Sequence, residues 1–429
     1  MSYIRLESLY LDNFKSFKES KFEFGKLNCL IAPNNTGKSN LIEALEFLDA
    51  LIYENSARAI AKIGFQNLKN YHYDEKELYL NAQFKIENKV LIGNEIIDYI
   101  VNLTFVFELN FDTKKSNIDI MATGKIKNIV IDSGNIVDGF EIIRVYKSFE
   151  KYISNDSYYL ETLSKKRYEN FHFGYSTNTL RYSINTKKLN TENIIKNLFA
   201  LQVTKNDDSL LKPIDLRLIF NRNSLFASHY FHANDIKKTQ ESGFGYLLES
   251  GTNLAEYLST LDKDILEDIS TSLIGEVELI NSLEIKDGFT TDIIFNEEIN
   301  GKSYPIKLQK VSDGTVHFIA IMTALIGNKH SIGMMIEEPE RHMHMKVLSY
   351  ILNTMRDDEK QIFFTTHSTE MLSQLELDEI IFMFRDFNGD TKGIRAKDIP
   401  NIKKLMNIYK NDLVEMIQIG ILNDLGDES

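Results

Sequence analysis

Short apolar runs set the rhythm of this chain, and their spacing changes along it. Ile4, Leu6, Leu9 and Leu11 fall in near alternation with polar residues, which predicts a half-buried strand. Phe22 to Phe24 predicts a second strand, and the unbroken run Leu27 to Ile31 a third. Beyond Ser39 the apolar positions are Leu41, Ile42, Leu45, Leu48, Leu51 and Ile52, whose spacing lines one face of a helix. Residues 78–147 read as β-rich, with strands at 78–80, 97–107 and 118–131 between Asn and Gly turns. From about residue 150 the alternation fades, Tyr, Asn, Ser and Lys dominate, and the chain reads as a mostly helical insertion. Helical spacing returns at Leu254, Tyr257, Leu258, Leu261 and Leu266, followed by short strands within 283–295. A compact α/β stretch then runs to about 398, and an acidic helical tail closes the sequence. The pattern divides the chain into 1–149, 150–229 and 230–429.

Composition narrows the class without deciding it. The 429 residues are 43% hydrophobic and 26% charged, an ordinary globular mix with a sizeable core. The longest apolar run, 318–326, falls well short of the roughly 18 residues that span a bilayer. Residues 1–7 lack the basic and then apolar plan of a signal peptide, so the cytoplasm is the expected compartment. One cysteine, Cys29, excludes a disulfide framework and a multi-cysteine zinc site, and its place in an apolar strand predicts a buried thiol. The net charge of −13 argues against a surface coated for nonspecific nucleic-acid binding. Residues 151–230 run the other way, with twelve Lys and Arg against seven Asp and Glu. That surplus suits either a phosphate-meeting surface or a solvated helical face.

The chemistry begins at Ala32-Pro33-Asn34-Asn35-Thr36-Gly37-Lys38-Ser39, between an apolar strand and a helix. In that setting backbone N–H groups wrap phosphates and the helix N-terminus favours their charge. Asn34, Asn35, Thr36, Gly37 and Asn40 then line the nucleotide. Lys38 reaches the β- and γ-phosphates, and the Ser39 hydroxyl holds Mg²⁺. The pattern GxxxxGK[ST] asks for glycine at position 32, where this chain has alanine.

Three further segments follow in order. Ser312 and Gly314, in Val311-Ser312-Asp313-Gly314-Thr315, open an apolar helix, which is either a plain cap or an anion-binding terminus. The apolar strand 332–336 ends in Glu337-Glu338-Pro339-Glu340, so that one carboxylate can hold the metal and the next polarise a water. A strand at 361–366 ends in Thr366-His367-Ser368, at a separation from the acidic pair that suits a neighbouring parallel strand.

Loop, Ser-x-Gly segment, acidic pair and Thr-His-Ser, in that order, resemble the ABC-type ATPase heads, and within them the SMC, RecF and OLD-type proteins. Asn13-Phe14-Lys15-Ser16-Phe17, Ser39-Asn40-Leu41-Ile42-Glu43-Ala44-Leu45 and Gly251-Thr252-Asn253-Leu254-Ala255 match that branch closely. The match covers roughly 3–55 and 230–370. It implies an α/β, ABC-type P-loop ATPase head with a mixed or parallel sheet core, a β-rich N-terminal lobe and a largely helical insertion. By resemblance Glu337 is the Walker B acid and Mg²⁺ ligand, Glu338 the catalytic base and His367 the switch histidine. Ser312 and Gly314 correspond to the signature that completes the ATP site of an opposing subunit. His344 matches the histidine after the acidic turn, while Gln66 and Gln83 compete for the Q-loop position.

The resemblance implies ATP and Mg²⁺ as cofactors and a homodimer or higher homo-oligomer formed through ATP-bound heads, while the short apolar runs lead us to expect no membrane. The insertion is too short for an SMC coiled coil. Asp386-Phe387-Asn388-Gly389-Asp390 reads as a β-turn rather than the metal site of an OLD nuclease. The expectation is an ATPase switch acting on a separate effector, a nuclease or toxin, similar to the ATPases of Septu and PARIS anti-phage systems. Two alternatives stand beside it: a RecF-like ATPase clamping duplex DNA, and a nucleotide-binding scaffold without turnover. Nucleic acid is a partner under the first of these.

Overall fold

The structure, a computed structural model, describes residues 3–33, 35–53, 56–70, 72–92, 95–130, 136–138, 141–152, 224–239, 241–286, 291–328, 331–402 and 404. Described residues within Met1–Phe24, Ser39–Asn223 and Arg385–Gly393 form one compact unit, and those within Gly25–Lys38, Ser224–Phe384 and Ile394–Ser429 a second.

The first unit is built on an antiparallel sheet. β1 (Tyr3–Asp12) pairs with β2 (Ser20–Glu23), while β3 (Leu27–Ile31) belongs to the second unit. On its other edge β1 pairs with β4 (Glu77–Ile92), and the sheet continues into β5 (Glu95–Asn110) and β6 (Lys115–Val130). β7 (Ile136–Asp138) and β8 (Glu141–Tyr152) both pair with β6. In β2, Ser20 and Phe22 are buried while Lys21 and Glu23 face out, the alternation of a sheet with one covered face. Helix α1 (Lys38–Tyr53) buries Leu41, Leu45, Leu48, Leu51 and Ile52 as its spacing predicts, and also Ala44, Phe47 and Ala50. Phe47 meets the rings of Phe14 and Phe107 at centroid distances of 5.6 and 5.4 Å.

The Asn13-Phe14-Lys15-Ser16-Phe17 segment fastens this unit to α1. Asn13 is fully buried with φ of 54°, and its amide donates to the carbonyl of Glu77 at 2.6 Å. Phe14 and Phe17 are buried. Lys15 forms an ion pair with Glu43, and the Ser16 hydroxyl accepts from the Asn40 amide at 2.8 Å. Polar residues of the motif thus grip the first turns of α1 while its aromatic residues enter the core.

The second unit carries a parallel sheet. β9 (Ser224–His229) is followed by β10 (Ile280–Lys286), β11 (Asp292–Ile299) and β12 (Lys302–Lys307), which form a separate antiparallel sheet. β13 (Ser331–Glu337), β14 (Gln361–Thr365) and β15 (Ile380–Arg385) join β9 and β3 in the main, six-stranded one, whose run β15-β3-β14-β13-β9 has every neighbour parallel. Each residue of β3 and β14 is buried, and β13 exposes only Glu337. Such runs are the signature of parallel strands covered on both faces. Cys29 is fully buried in β3, and burial pushes its thiol well up.

The structure adjusts several sequence expectations. The helical run 254–266 is two helices, Leu254–Thr260 and Lys263–Glu276, because Leu261 and Asp262 take extended backbone between them. The β-rich strands are longer than their apolar cores, since hairpin pairing carries β4 and β5 through polar residues. The apolar helix expected at 316–325 is Asp313–Met322, and its last stretch, Thr323–Gly327, widens into a π-helix. Of the proposed insertion 150–229, residues 153–223 lie outside the described residues, and 224–229 form β9 beside β13. The acidic helical tail beyond 404 also lies outside them. Asp386 to Asp390 is the expected turn: the Gly389 N–H donates to Asp386 O at 2.9 Å before the chain enters β16 (Thr391–Arg395).

Candidate functional site

In the second unit, three adjacent strands deliver the sequence-predicted chemistry to one side of the sheet. β3 leads into 32–38, β14 into 366–368 and β13 into 337–340. A crevice at the carboxyl ends of parallel strands is where open α/β sheets bind ligands.

The loop after β3 closes on itself. Thr36 Oγ1 donates to Pro33 O at 2.7 Å, and Lys38 Nζ donates to Ala32 O at 3.0 Å. Asn35 has φ of 62° and Gly37 φ of 109°. The value at Gly37 lies where a side chain is poorly tolerated, which accounts for the glycine before Lys38. Asn34 lies outside the described residues. Lys38 Nζ also lies 3.5 Å from His367 Nε2. Burial lowers the Lys38 pKa, while Glu338 and Cys29 pull it back up. Among the described residues Lys38 makes no salt bridge; its hydrogen-bonding neighbours are a carbonyl and an imidazole, and the Glu338 carboxylate acts on it without a direct contact. Ser39 and Asn40 follow in the first turn of α1 and belong to the other unit, where Asn40 is engaged with Ser16.

The acidic turn after β13 is held from several sides. The Glu338 N–H donates to Thr365 O at 3.0 Å, which ties it to β14. Glu338 has φ of 45° and His342 φ of 62°, so two non-glycine residues bracket the turn in left-handed conformation. Such strain persists only where surrounding contacts enforce it. Glu337 is exposed at the strand end. Glu340 Oε1 accepts the His367 N–H at 2.8 Å, while its Oε2 is buried without a partner among the described residues. The histidine loop is thus fixed to the acidic turn by its backbone and to Lys38 by its ring.

The Ser-x-Gly segment is a helix cap in this structure. Ser312 Oγ accepts the Thr315 N–H at 3.1 Å, and Asp313 pairs with Lys237 at 2.5 Å. That pairing lowers the Asp313 pKa. A Cβ on Gly314 would lie 2.5 Å from the carbonyl oxygen of His342. Glycine here is therefore required by close approach of the acidic turn within the same chain.

Sequence reasoning missed Arg341 and His232. Arg341 Nε donates to Glu338 Oε2 at 2.6 Å, and its Nη1 lies 2.8 Å from His232 Nδ1. The first could be suspected from an opposite charge three residues on; nothing in the sequence links His232 to the turn. Buried His229 and His317 flank Phe231, with His229 stacked on the ring at 5.0 Å. Burial lowers each imidazole to about 4. His344 stands at the N-cap position of the Met345–Asp357 helix without a side-chain hydrogen bond to it, Gln66 lies on the Phe65–Leu68 helix, and Gln83 accepts from Ser8 at 3.2 Å.

Known proteins resemble this chain in parts. A 140-residue stretch is 32% identical to a Helicobacter pylori protein named ATP/GTP phosphatase, covering 27% of this chain and 38% of that one. A 78-residue stretch is 35% identical to the DNA replication and repair protein RecF of Streptococcus pneumoniae, covering 18% and 19%. The chain thus spans well under half the length of these relatives. Among solved structures, the SMC head domain from Thermotoga maritima aligns over 91% of this chain and 98% of its own, at 14% identity and a TM-score of 0.41. Residues 27–373 match the family described as "AAA domain, putative AbiEii toxin, Type IV TA system". That match runs over most of the chain, which belongs to this family of AAA domains.

Proposed function

We propose that this chain is a Mg²⁺-dependent ATPase acting as a switch, in which two copies close on ATP and part after hydrolysis. The observation that carries the reading is the meeting of Lys38 and His367, 3.5 Å apart, beside the acidic turn at the ends of three adjacent parallel strands. A half-buried lysine without a salt bridge among the described residues fits an anionic ligand, because burial lowers its pKa more than Glu338 and Cys29 raise it. Lys38 and the backbone N–H groups of 34–37 bind the phosphates. Ser39, next in sequence, and Glu337 would offer hard oxygen donors to Mg²⁺, which when bound would offset charge on the phosphate oxygens. Glu338 takes the proton of the attacking water as its oxygen bonds to the γ-phosphorus and the bond to ADP breaks. His367 donates to the γ-phosphate. Ser312 and Gly314 contact the nucleotide of the opposing copy, so ATP stabilises the closed state through contacts it makes only there.

The test is turnover and binding measured side by side. Lys38→Ala abolishes ATP binding, and Glu338→Gln keeps binding while turnover falls at least about a hundredfold. Undiminished turnover in Glu338→Gln, or wild-type protein that binds ATP without hydrolysing it, contradicts the reading. The second outcome supports the scaffold alternative.

The output passes to a separate effector, a nuclease or toxin, in defence against phage. Support is analogy only: the family's description names a toxin of a toxin–antitoxin system. Deleting the gene should raise phage sensitivity, and unchanged sensitivity removes this part. A RecF-like duplex clamp is favoured instead by the basic surplus at 151–230. ATP-stimulated, steeply salt-dependent duplex binding that weakens when Lys165, Lys166 and Arg167 are neutralised would establish it.

A further inference from the structure

We propose that Arg341 is the positioning residue of Glu338, with His232 as its anchor; this rests on the reading of Glu338 as the catalytic base. The carboxylate's two oxygens are divided between two tasks. Oε2 accepts the Arg341 Nε–H at 2.6 Å, while Oε1 makes no hydrogen bond among the described residues. The guanidinium is held from its far end as well, by His232 Nδ1 at 2.8 Å from Nη1. Because arginine can only donate, Nδ1 of His232 must be the acceptor, which assigns its ring proton to Nε2. Backbone contacts fix the remainder: the Arg341 N–H donates to Glu338 O at 3.2 Å and the Glu338 N–H to Thr365 O at 3.0 Å. A base whose second oxygen is pinned by an oriented third group presents its first oxygen to water in one direction.

The bland account is a surface ion pair between residues three apart, with side chains about a third exposed. Pairs of that kind contribute little. What it leaves unexplained is the anchoring of the same guanidinium by His232, from a distant part of the sequence. The two accounts differ in kinetics rather than in stability.

The experiment uses the full-length chain and compares kcat, KM, ATP affinity and thermal midpoint for wild type, Arg341→Ala, Arg341→Lys, His232→Ala and His232→Gln. Arg341→Ala is expected to lower kcat about tenfold or more, with ATP affinity within about twofold and the midpoint unchanged. Lysine restores part of the loss because it still donates. His232→Gln, which keeps an acceptor, falls less than His232→Ala. In single turnovers with excess protein, Arg341→Ala adds nothing to Glu338→Gln, since both act through one carboxylate. Unchanged kcat in Arg341→Ala, or equal losses in both Glu338 backgrounds, overturns the inference. If Glu338→Gln itself turns over like wild type, the base assignment fails and the inference falls with it. If only Arg341→Ala is silent, the inference alone falls.

Discussion

At Lys38 stability and binding pull in opposite directions. Its burial without a carboxylate partner disfavours the charged form, and the same lack of a partner leaves the ammonium available to an anion. Lys38→Met should therefore abolish ATP binding while leaving the thermal midpoint unchanged or higher; a large fall in the midpoint would show that the lysine stabilises the fold. His229 and His317 carry the opposite lesson. Both titrate near 4 in the fold and near 6.5 when unfolded. Their contribution is full above 6.5 and is lost as the pH falls from 6.5 toward 4, where the unfolded chain takes up protons that the folded chain resists. The loss by pH 4 is roughly 3 kcal/mol for each ring. Urea melts from pH 7 to 5 should show a steeper decline for wild type than for His229→Phe, and parallel declines would refute the assignment. Motif spacing and resemblance singled out Gly37, Lys38, Glu338 and His367 in the sequence, and the structure brings Lys38 and His367 within 3.5 Å. Arg341 and His232 were not legible there, since their partnership depends on a turn geometry that no sequence period encodes.

Among the elements, close packing of the Asp313–Met322 helix against the acidic turn has the sharpest consequence. A Cβ at Gly314 would stand 2.5 Å from a backbone oxygen, so something must shift, and the turn that carries Glu338 and Arg341 is what lies there. Mixed pairs of a Gly314→Ala copy with a Glu338→Gln copy should turn over less than pairs of wild type with Glu338→Gln, where a role confined to the opposing copy's nucleotide predicts no difference. The strands were legible for a physical reason. β3, β13 and β14 are buried almost throughout, so unbroken apolar runs mark them, and their parallel order follows from the spacing of Glu338 and His367. The break at Leu261 and Asp262 was hidden, because the apolar positions keep helical spacing across it. The Asn13 to Phe17 motif was visible as a resemblance, but its grip on Asn40 and Glu43 is a tertiary fact.

For the whole molecule, the sequence pointed to an AAA-family ATPase, and the match over residues 27–373 bears out the AAA domain. The sequence did not supply the two compact units, which interleave along the chain and cannot be read from boundaries in sequence. A chain of 49.6 kDa that closes on ATP should scatter light as about twice that mass in the Glu338→Gln protein with Mg·ATP, and as a single copy with ADP. Ser312→Ala should weaken the doubled form, and equal masses in both nucleotides would remove the dimer switch. The most direct test of the central claim, hydrolysis of ATP with Glu338 as base, is the identity of the nucleotide that stays bound. Wild-type and Glu338→Gln protein are incubated with Mg·ATP, freed of excess nucleotide and analysed for their contents. The account predicts ADP on the wild type and intact ATP on Glu338→Gln. ADP on both, or no nucleotide on either, would contradict it.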